Sequence, residues 1–228
     1  RDVKDGTTLL DAIRAAHDVP GIARVRLGSL EPVVVTPEFV EGIKALPKVC
    51  HQFHLALQSG SDTVLARMHR RYTSGEFLTA CAMLREAFED CALTTDVMTG
   101  FPGETEEEFA QTKDTCTKAG FARMHVFPYF EREGTKAALM PDSVPRHIGE
   151  ERARELIALG RTLEKNALAA RIGKEEEVLV EEIDEQGNGV GYTGGYMRVC
   201  VKDGKPGEIV RVRITGADDE ELTGEMEK

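Results

Sequence analysis

The chain has 228 residues, of which 41% are apolar and 30% charged, and a net charge of -11. That balance is too apolar for a disordered chain and fits a soluble globular protein: one sizeable α/β domain, or one domain with a small appendage. No stretch approaches eighteen consecutive apolar residues, so the sequence offers no candidate membrane span, and the expected compartment is the cytoplasm.

The opening run Arg1-Asp2-Val3-Lys4-Asp5-Gly6 leads into no apolar signal-peptide core and carries no initiator Met, so a piece of a longer protein is expected. Charge is uneven along the chain. Residues 172–228 hold 7 Lys and Arg against 15 Asp and Glu; residues 1–171 hold 22 against 25. The break near Ile172-Gly173 coincides with a change of pattern, from helix signals alternating with apolar runs to short strands and Gly-rich turns. Two domains are expected, 1–171 and 172–228.

In the first, apolar runs at Ala23–Leu27, Phe53–Leu57, Leu93–Met98 and Ala122–Phe127 predict strands. Their starts lie about thirty to forty residues apart, the pitch of a βαβ unit. Between them, Thr36-Pro37 sets a cap residue before a first-turn proline. Thr73 with Glu76, and Thr105 with Glu108, match the capping box. Phe77, Cys81, Leu84 and Phe88 recur at helical spacing, Gly120 suits a C-terminal cap, and a long helix is predicted from about Gly149 to Arg171. Strands alternating with helices give a parallel sheet, whose ligands bind at the carboxyl ends of the strands. The segments there are Gly28–Pro32, Gln58–Ser61, Thr99–Glu104 and Pro128–Phe130. Composition points to a site on that rim but gives no reaction.

The five cysteines (50, 81, 91, 116 and 200) show no CxxC spacing, so neither a disulfide framework nor a self-contained zinc or iron–sulfur site is expected. They read as small core residues. His51 and His54, three apart on a strand, point to opposite faces and cannot share an ion; His54 reads as a satisfied interior histidine.

In the second domain, runs at Val178–Ile183, Tyr196–Val201 and Ile209–Ile214 predict strands. Alternation sends Met197, Val199, Val201, Val210, Val212 and Ile214 inward and leaves Tyr196, Arg198, Lys202, Arg211 and Arg213 outside. Basic side chains with an aromatic on one barrel face suit RNA backbone contact and base stacking. The domain's net charge of -8 opposes long-range attraction of a polyanion. Its acids concentrate at 175–185 and 218–227.

The segments His54-Leu55-Ala56-Leu57-Gln58-Ser59-Gly60-Ser61-Asp62, Met68–Thr73, Thr95–Thr105 with its GFPGET run, His125–Tyr129 and Arg132–Thr135 together resemble the radical S-adenosylmethionine (SAM) methylthiotransferases. The Gly189–Val201 stretch resembles their TRAM domain. The implied fold is α/β: part of a radical-SAM-type (β/α) barrel with parallel strands, followed by a small all-β, OB-like TRAM barrel. Ser29-Leu30-Glu31-Pro32 resembles the branch acting on N6-threonylcarbamoyladenosine beside the tRNA anticodon. Alternatives are the branch acting on isopentenyladenosine in tRNA, a ribosomal-protein modifier, and, from another class, a catalytically inactive tRNA-binding adaptor.

What the resemblance implies for cofactors is SAM and two 4Fe–4S clusters. The family's cluster cysteines, including CxxxCxxC, are not in this chain, so this piece is expected to be inactive by itself, with no catalytic residue and no metal ligand of its own. The implied chemistry is cleavage of SAM to a radical that takes hydrogen from adenine C2, with an auxiliary cluster supplying methylated sulfur. SAM-binding positions carried over are Ser29, Glu31, Gln58, Ser59, Arg70, Asp96, Thr99 and Gly100, with Arg70 pairing the SAM carboxylate. Phe127 and Tyr129 are candidate walls for a base. RNA contacts carried by the barrel are Tyr196, Arg198, Lys202, Arg211 and Arg213. The implied partners are tRNA and SAM, with neither DNA nor a membrane. The chain departs from the family at Tyr129-Phe130-Glu131, where Ser and a basic residue usually follow the Tyr. It departs again at Gly194-Gly195 before Tyr196.

Overall fold

The computed structural model describes residues 6–227. Its first part runs α1 (Leu9–His17), β1 (Ser29–Leu30), α2 (Pro37–Lys44), β2 (Gln52–Leu55), α3 (Asp62–Arg67), α4 (Ser74–Ala87), β3 (Ala92–Thr99), α5 (Glu106–Ala119), β4 (Arg123–Pro128) and α6 (Arg146–Ala169). The strands form one parallel sheet in the order β1-β2-β3-β4. The second part, β5 (Glu175–Ile183), β6 (Gly189–Thr193), β7 (Arg198–Val201), β8 (Ile209–Ala217) and β9 (Leu222–Met226), closes into a barrel in the order β5-β6-β7-β9-β8.

The helix starts follow from their caps. Thr36, Thr73 and Thr105 each accept from the third backbone N–H of their helix, and the last two complete capping boxes with Glu76 and Glu108. Gly120 ends α5 in the left-handed region at φ 58°, where a side chain would be strained. One face of the sheet is apolar: Phe53, Leu55, Leu57, Leu93 and Val97 pack with Phe77, Leu84, Phe109, Cys116 and Leu156 from the helices. The other face carries Gln52, His54, Thr94, Asp96 and His125, which bond to one another across the strands.

The first strand differs from expectation. Ala23–Leu27 makes only an isolated bridge, Val25 to Val49, and the paired segment is Ser29–Leu30. The reason is Arg24 and Arg26, whose guanidiniums reach across to the small barrel. Helices α1 and α3 and strands β6 and β9 add to the expected elements. Glycines interrupt the apolar pattern of β6, and Gly191 lies where an added Cβ would meet the Leu179 carbonyl oxygen at 2.0 Å. In the barrel, Met197, Val199, Val201, Val212 and Ile214 do point inward. The two parts share a core: Ala92, at the start of β3, packs with Leu168, Val178 and Met197.

Candidate functional site

Four expected cofactor positions meet at the carboxyl rim. Ser29 ends up beside Leu30 at the tip of β1, and Glu31 follows it. Arg70 comes from the turn after α3 and lies 4.0 Å from Glu31, a loose pair on an exposed carboxylate. Ser29, Glu31 and Arg70 line one cleft of about 550 Å³ with His69 and Arg71. Gln58 and Arg70 line the neighbouring one, of about 250 Å³, with Met98, Phe101, Lys136 and Met140. Gln58 takes φ 64°, held because its N–H donates to the Asp96 carbonyl and its own carbonyl accepts from Met98. Such strain in a non-glycine residue at a strand end persists only where the surroundings fix it.

Ser59, Thr99 and Gly100 lie behind this rim. Ser59 is fully buried, with its hydroxyl against Thr112 of α5. Thr99 is fully buried and donates to the Gly149 carbonyl in α6. Gly100, at φ 70°, brings its backbone so close to Gly149 that an added Cβ would sit 3.0 Å from that Cα. These three join the rim loops to the outer helices.

The GFPGET run is built the same way. The Gly100 N–H donates to Glu104 Oε1, and Arg152 of α6 donates to the same oxygen at 2.8 Å. Burial pushes the Glu104 carboxyl above its ordinary value, against the pull of the Gly100 N–H and Arg152. Phe101 is buried with its ring edge-on to Tyr129, 5.5 Å between centroids. Glu108 also takes bonds from Arg67, Thr63 and the Thr105 N–H. Burial works to raise its carboxyl, but the Arg67, Thr63 and Thr105 bonds and the Arg67 charge win and hold it at about 2.

Asp96 stands on the open face of β3, one strand in from the sheet edge. Its carboxylate lies 3.5 Å from His54 Nε2 on β2 and 3.3 Å from His125 Nδ1 on β4. His54 Nδ1 is 3.1 Å from Thr94 Oγ1. Sequence reasoning missed this row. The three residues share strand parity, but only the register, Asp96 opposite His125 and His54 opposite Thr94, sets them side by side. His51 points elsewhere, its ring 5.0 Å from that of Phe88.

On the small barrel the expected RNA residues divide. Arg198 is paired with Glu221 at 2.8 Å and Glu182 at 3.3 Å. Arg213 is paired with Glu175 at 2.7 Å and Glu227 at 2.9 Å. β9 lies between the strands that carry them. Lys202 and Arg211 are exposed and make no ion pair among the described residues. Tyr196 is half exposed, but its ring stacks on Tyr192 and lies under Arg26.

Among the described residues no group of three or more His, Cys, Asp or Glu is placed to hold a metal ion. Burial pushes the Cys81, Cys91 and Cys116 thiols up to about 12, which removes the thiolate that ligates iron. The residues described therefore do not fit an iron–sulfur cluster. No helix among them is long and apolar enough to cross a membrane.

Comparison with known proteins places two family models on the chain. Residues 4–116 match the radical SAM superfamily and residues 169–226 the TRAM domain. Similar curated proteins include the threonylcarbamoyladenosine tRNA methylthiotransferase MtaB of Bacillus subtilis, 40% identical over 87% of this chain and 46% of its own length. The tRNA-2-methylthio-N(6)-dimethylallyladenosine synthase of Acetivibrio thermocellus is 34% identical over 99% of the chain and 48% of its own. The protein of that name from Moorella thermoacetica is 37% identical over 99% and 52%. The chain thus spans about half the length of the curated relatives it matches. Among solved structures, the radical SAM enzyme coproporphyrinogen III oxidase (HemN) of Escherichia coli aligns with a TM-score of 0.53 at 13% identity, over 87% of this chain and 50% of that one. That likeness is one of fold.

Proposed function

Since this chain belongs to the radical SAM superfamily and carries a TRAM domain after its sheet, we propose that it is part of a tRNA methylthiotransferase acting on N6-threonylcarbamoyladenosine beside the anticodon. The observation that carries the reading is the convergence of Ser29, Glu31, Gln58 and Arg70 on one rim of a parallel sheet joined to a TRAM barrel. Relatives named for both threonylcarbamoyl- and dimethylallyladenosine match at similar identity. The Ser29-Leu30-Glu31-Pro32 form favours the first.

Arg70 fits SAM. Among the described residues its guanidinium has one ionic partner, exposed Glu31 at 4.0 Å, so donors remain for the carboxylate of an amino-acid ligand. Glu31 is an acceptor for that ligand's ammonium group, and the strained Gln58 presents an amide at the same rim. SAM, when bound, supplies the radical and the methyl group that methylthiolation requires. Arg70 and Glu31 bind and orient it; Asp96 fixes the two histidine rings on the face across which the substrate base would lie. Iron–sulfur clusters would find no ligand group among the described residues. The compartment that suits a tRNA partner is the cytoplasm.

Deleting the gene and analysing tRNA nucleosides by mass spectrometry tests the reading. Loss of the methylthio group from N6-threonylcarbamoyladenosine is expected. Loss from isopentenyladenosine instead would move the protein to the other branch, and no loss from either would overturn the proposal.

A further inference from the structure

Arg26 and Tyr196 come from the two parts of the chain and meet in one contact that the cofactor rim does not use. Arg26 donates to Gln52 Oε1 at 3.2 Å, to the Gly194 carbonyl at 3.2 Å and to the Thr193 carbonyl at 3.3 Å. Its Cζ also lies 4.5 Å from the centroid of the Tyr196 ring. Tyr192 stacks on that ring at 4.8 Å and 25°. Both contacts are made to the Tyr196 ring, which thus joins its own barrel to the sheet while its side chain stays half exposed.

The backbone around Tyr196 is built for this contact. It sits at φ 62°, a region that bulky residues avoid and that persists only where neighbours fix it. The turn that holds it is closed by Tyr196 N–H to the Thr193 carbonyl at 3.0 Å and Met197 N–H to Thr193 Oγ1 at 3.2 Å. Arg24 donates alongside, to the carbonyls of Tyr192 at 3.1 Å and Glu177 at 2.8 Å. Neither arginine has a carboxylate partner among the described residues. Planar forks bonded to successive carbonyls and to a ring fix an angle as well as a distance. A second anchor lies behind: Arg171 is paired with Asp90 at 3.1 Å and Glu176 at 3.2 Å.

We propose that Arg26 and Tyr196 are a positioning pair, clamping the small barrel at one angle to the open face of the sheet. An RNA gripped by the barrel then presents its nucleotide to the His54–Asp96–His125 face in a single register. This rests on the reading of the barrel as an RNA-binding module.

The test uses the whole chain with four substitutions: Arg26→Ala, Arg26→Lys, Tyr196→Phe and Tyr196→Asn. Asn tolerates the left-handed conformation but has no ring, so it separates strain from stacking. Far-UV circular dichroism checks that each variant is folded. In Arg26→Ala and Tyr196→Asn, amide exchange across residues 193–197 should rise about tenfold or more, as a local contact opens without global unfolding. Arg26→Lys keeps the charge without the fork and should fall between, while Tyr196→Phe should behave as wild type. Hydroxyl-radical footprinting of tRNA should show two shielded patches with wild type and Tyr196→Phe. With Arg26→Ala one patch should remain, at a tRNA affinity changed by less than about threefold. Unchanged exchange in folded Arg26→Ala and Tyr196→Asn overturns the clamp. Faster exchange with an unchanged footprint overturns the positioning role. Failure of wild type to bind tRNA overturns the RNA reading and the positioning role with it, while the exchange data still decide the clamp.

Discussion

Glu104 and Arg152 form an ion pair at 2.8 Å, with side chains only 1% and 8% exposed, between the loop after β3 and the second turn of α6. It ties the GFPGET run to the outer helix. The same arginine reaches the Glu104 carbonyl at 3.0 Å and Glu106 at 3.2 Å. Removing one partner of such a pair strands a charge in a dry site, at a cost of about 3–5 kcal/mol. Arg152→Ala should therefore lower the denaturant midpoint sharply, as followed by urea titration. Glu104→Gln, which leaves no unpaired anion, should cost distinctly less. Equal losses from both would show that packing, not charge, sets the energy of the joint.

Glu108 makes the sheet domain sensitive to acid. Its carboxyl titrates at about 2 in the folded chain against an ordinary 4.5. A depressed carboxylate stabilises the fold above its unfolded pKa, and that stability is lost as pH falls from about 4.5 towards 2, roughly 2–3 kcal/mol for this largely buried group. Glu104 works with the opposite sign: its raised carboxyl favours the fold when protonated and opposes it once ionised. Glu108→Gln should be less stable than wild type at pH 7, and the two should converge by about pH 2. Parallel acid-unfolding curves for the two proteins would count against the assignment.

Much of this architecture is legible in the sequence because it is local. Thr73 with Glu76 and Thr105 with Glu108 announce helix starts within four residues, and alternation on β7 and β8 announces the barrel core. What is not legible is set by register and by partners distant in sequence. Nothing local says that His54, Asp96 and His125 fall side by side. Arg24 and Arg26 read as part of a strand, yet serve the small barrel some 168 residues away. For Arg198 and Arg213, parity places each side chain outside but does not show which carboxylates neutralise it.

Gly100 is the tightest point of the GFPGET loop. It combines φ 70° with an approach to the backbone of Gly149 that would put an added Cβ 3.0 Å from the Gly149 Cα, so α6 would have to give by a few tenths of an ångström. Gly100→Ala should cost about 1–3 kcal/mol from backbone conformation alone, with more from displacement of α6. Gly134, also at positive φ but with nothing within 4 Å of an added Cβ, is the control that isolates the conformational part. A Gly100→Ala protein that melts with Gly134→Ala would show that α6 moves away freely.

On the proposed reading of the small barrel as an RNA-binding module, its cations differ in how free they are to meet a phosphate. Arg198 and Arg213 are each held by two carboxylates, and the bond from Glu221 keeps the Arg198 guanidinium protonated beyond its usual range. A phosphate approaching either must compete with a carboxylate already in place. Lys202 and Arg211 are exposed and unpaired among the described residues, so contact with them releases counterions without breaking an internal pair. Neutralising Lys202 and Arg211 together should weaken tRNA binding and lower the slope of log affinity against log salt by roughly 0.7–0.9 for each phosphate that no longer meets a cation. Thermal stability should hardly change, because exposed charges contribute little to folding. Neutralising Arg198 and Arg213 should leave the salt slope nearly intact, while freeing Glu182, Glu221, Glu175 and Glu227 to repel the RNA. Titrations of the two double variants at several salt concentrations separate these outcomes. A larger fall in slope for Arg198 and Arg213 would mean that the RNA displaces their carboxylates and that the paired arginines are the contact surface.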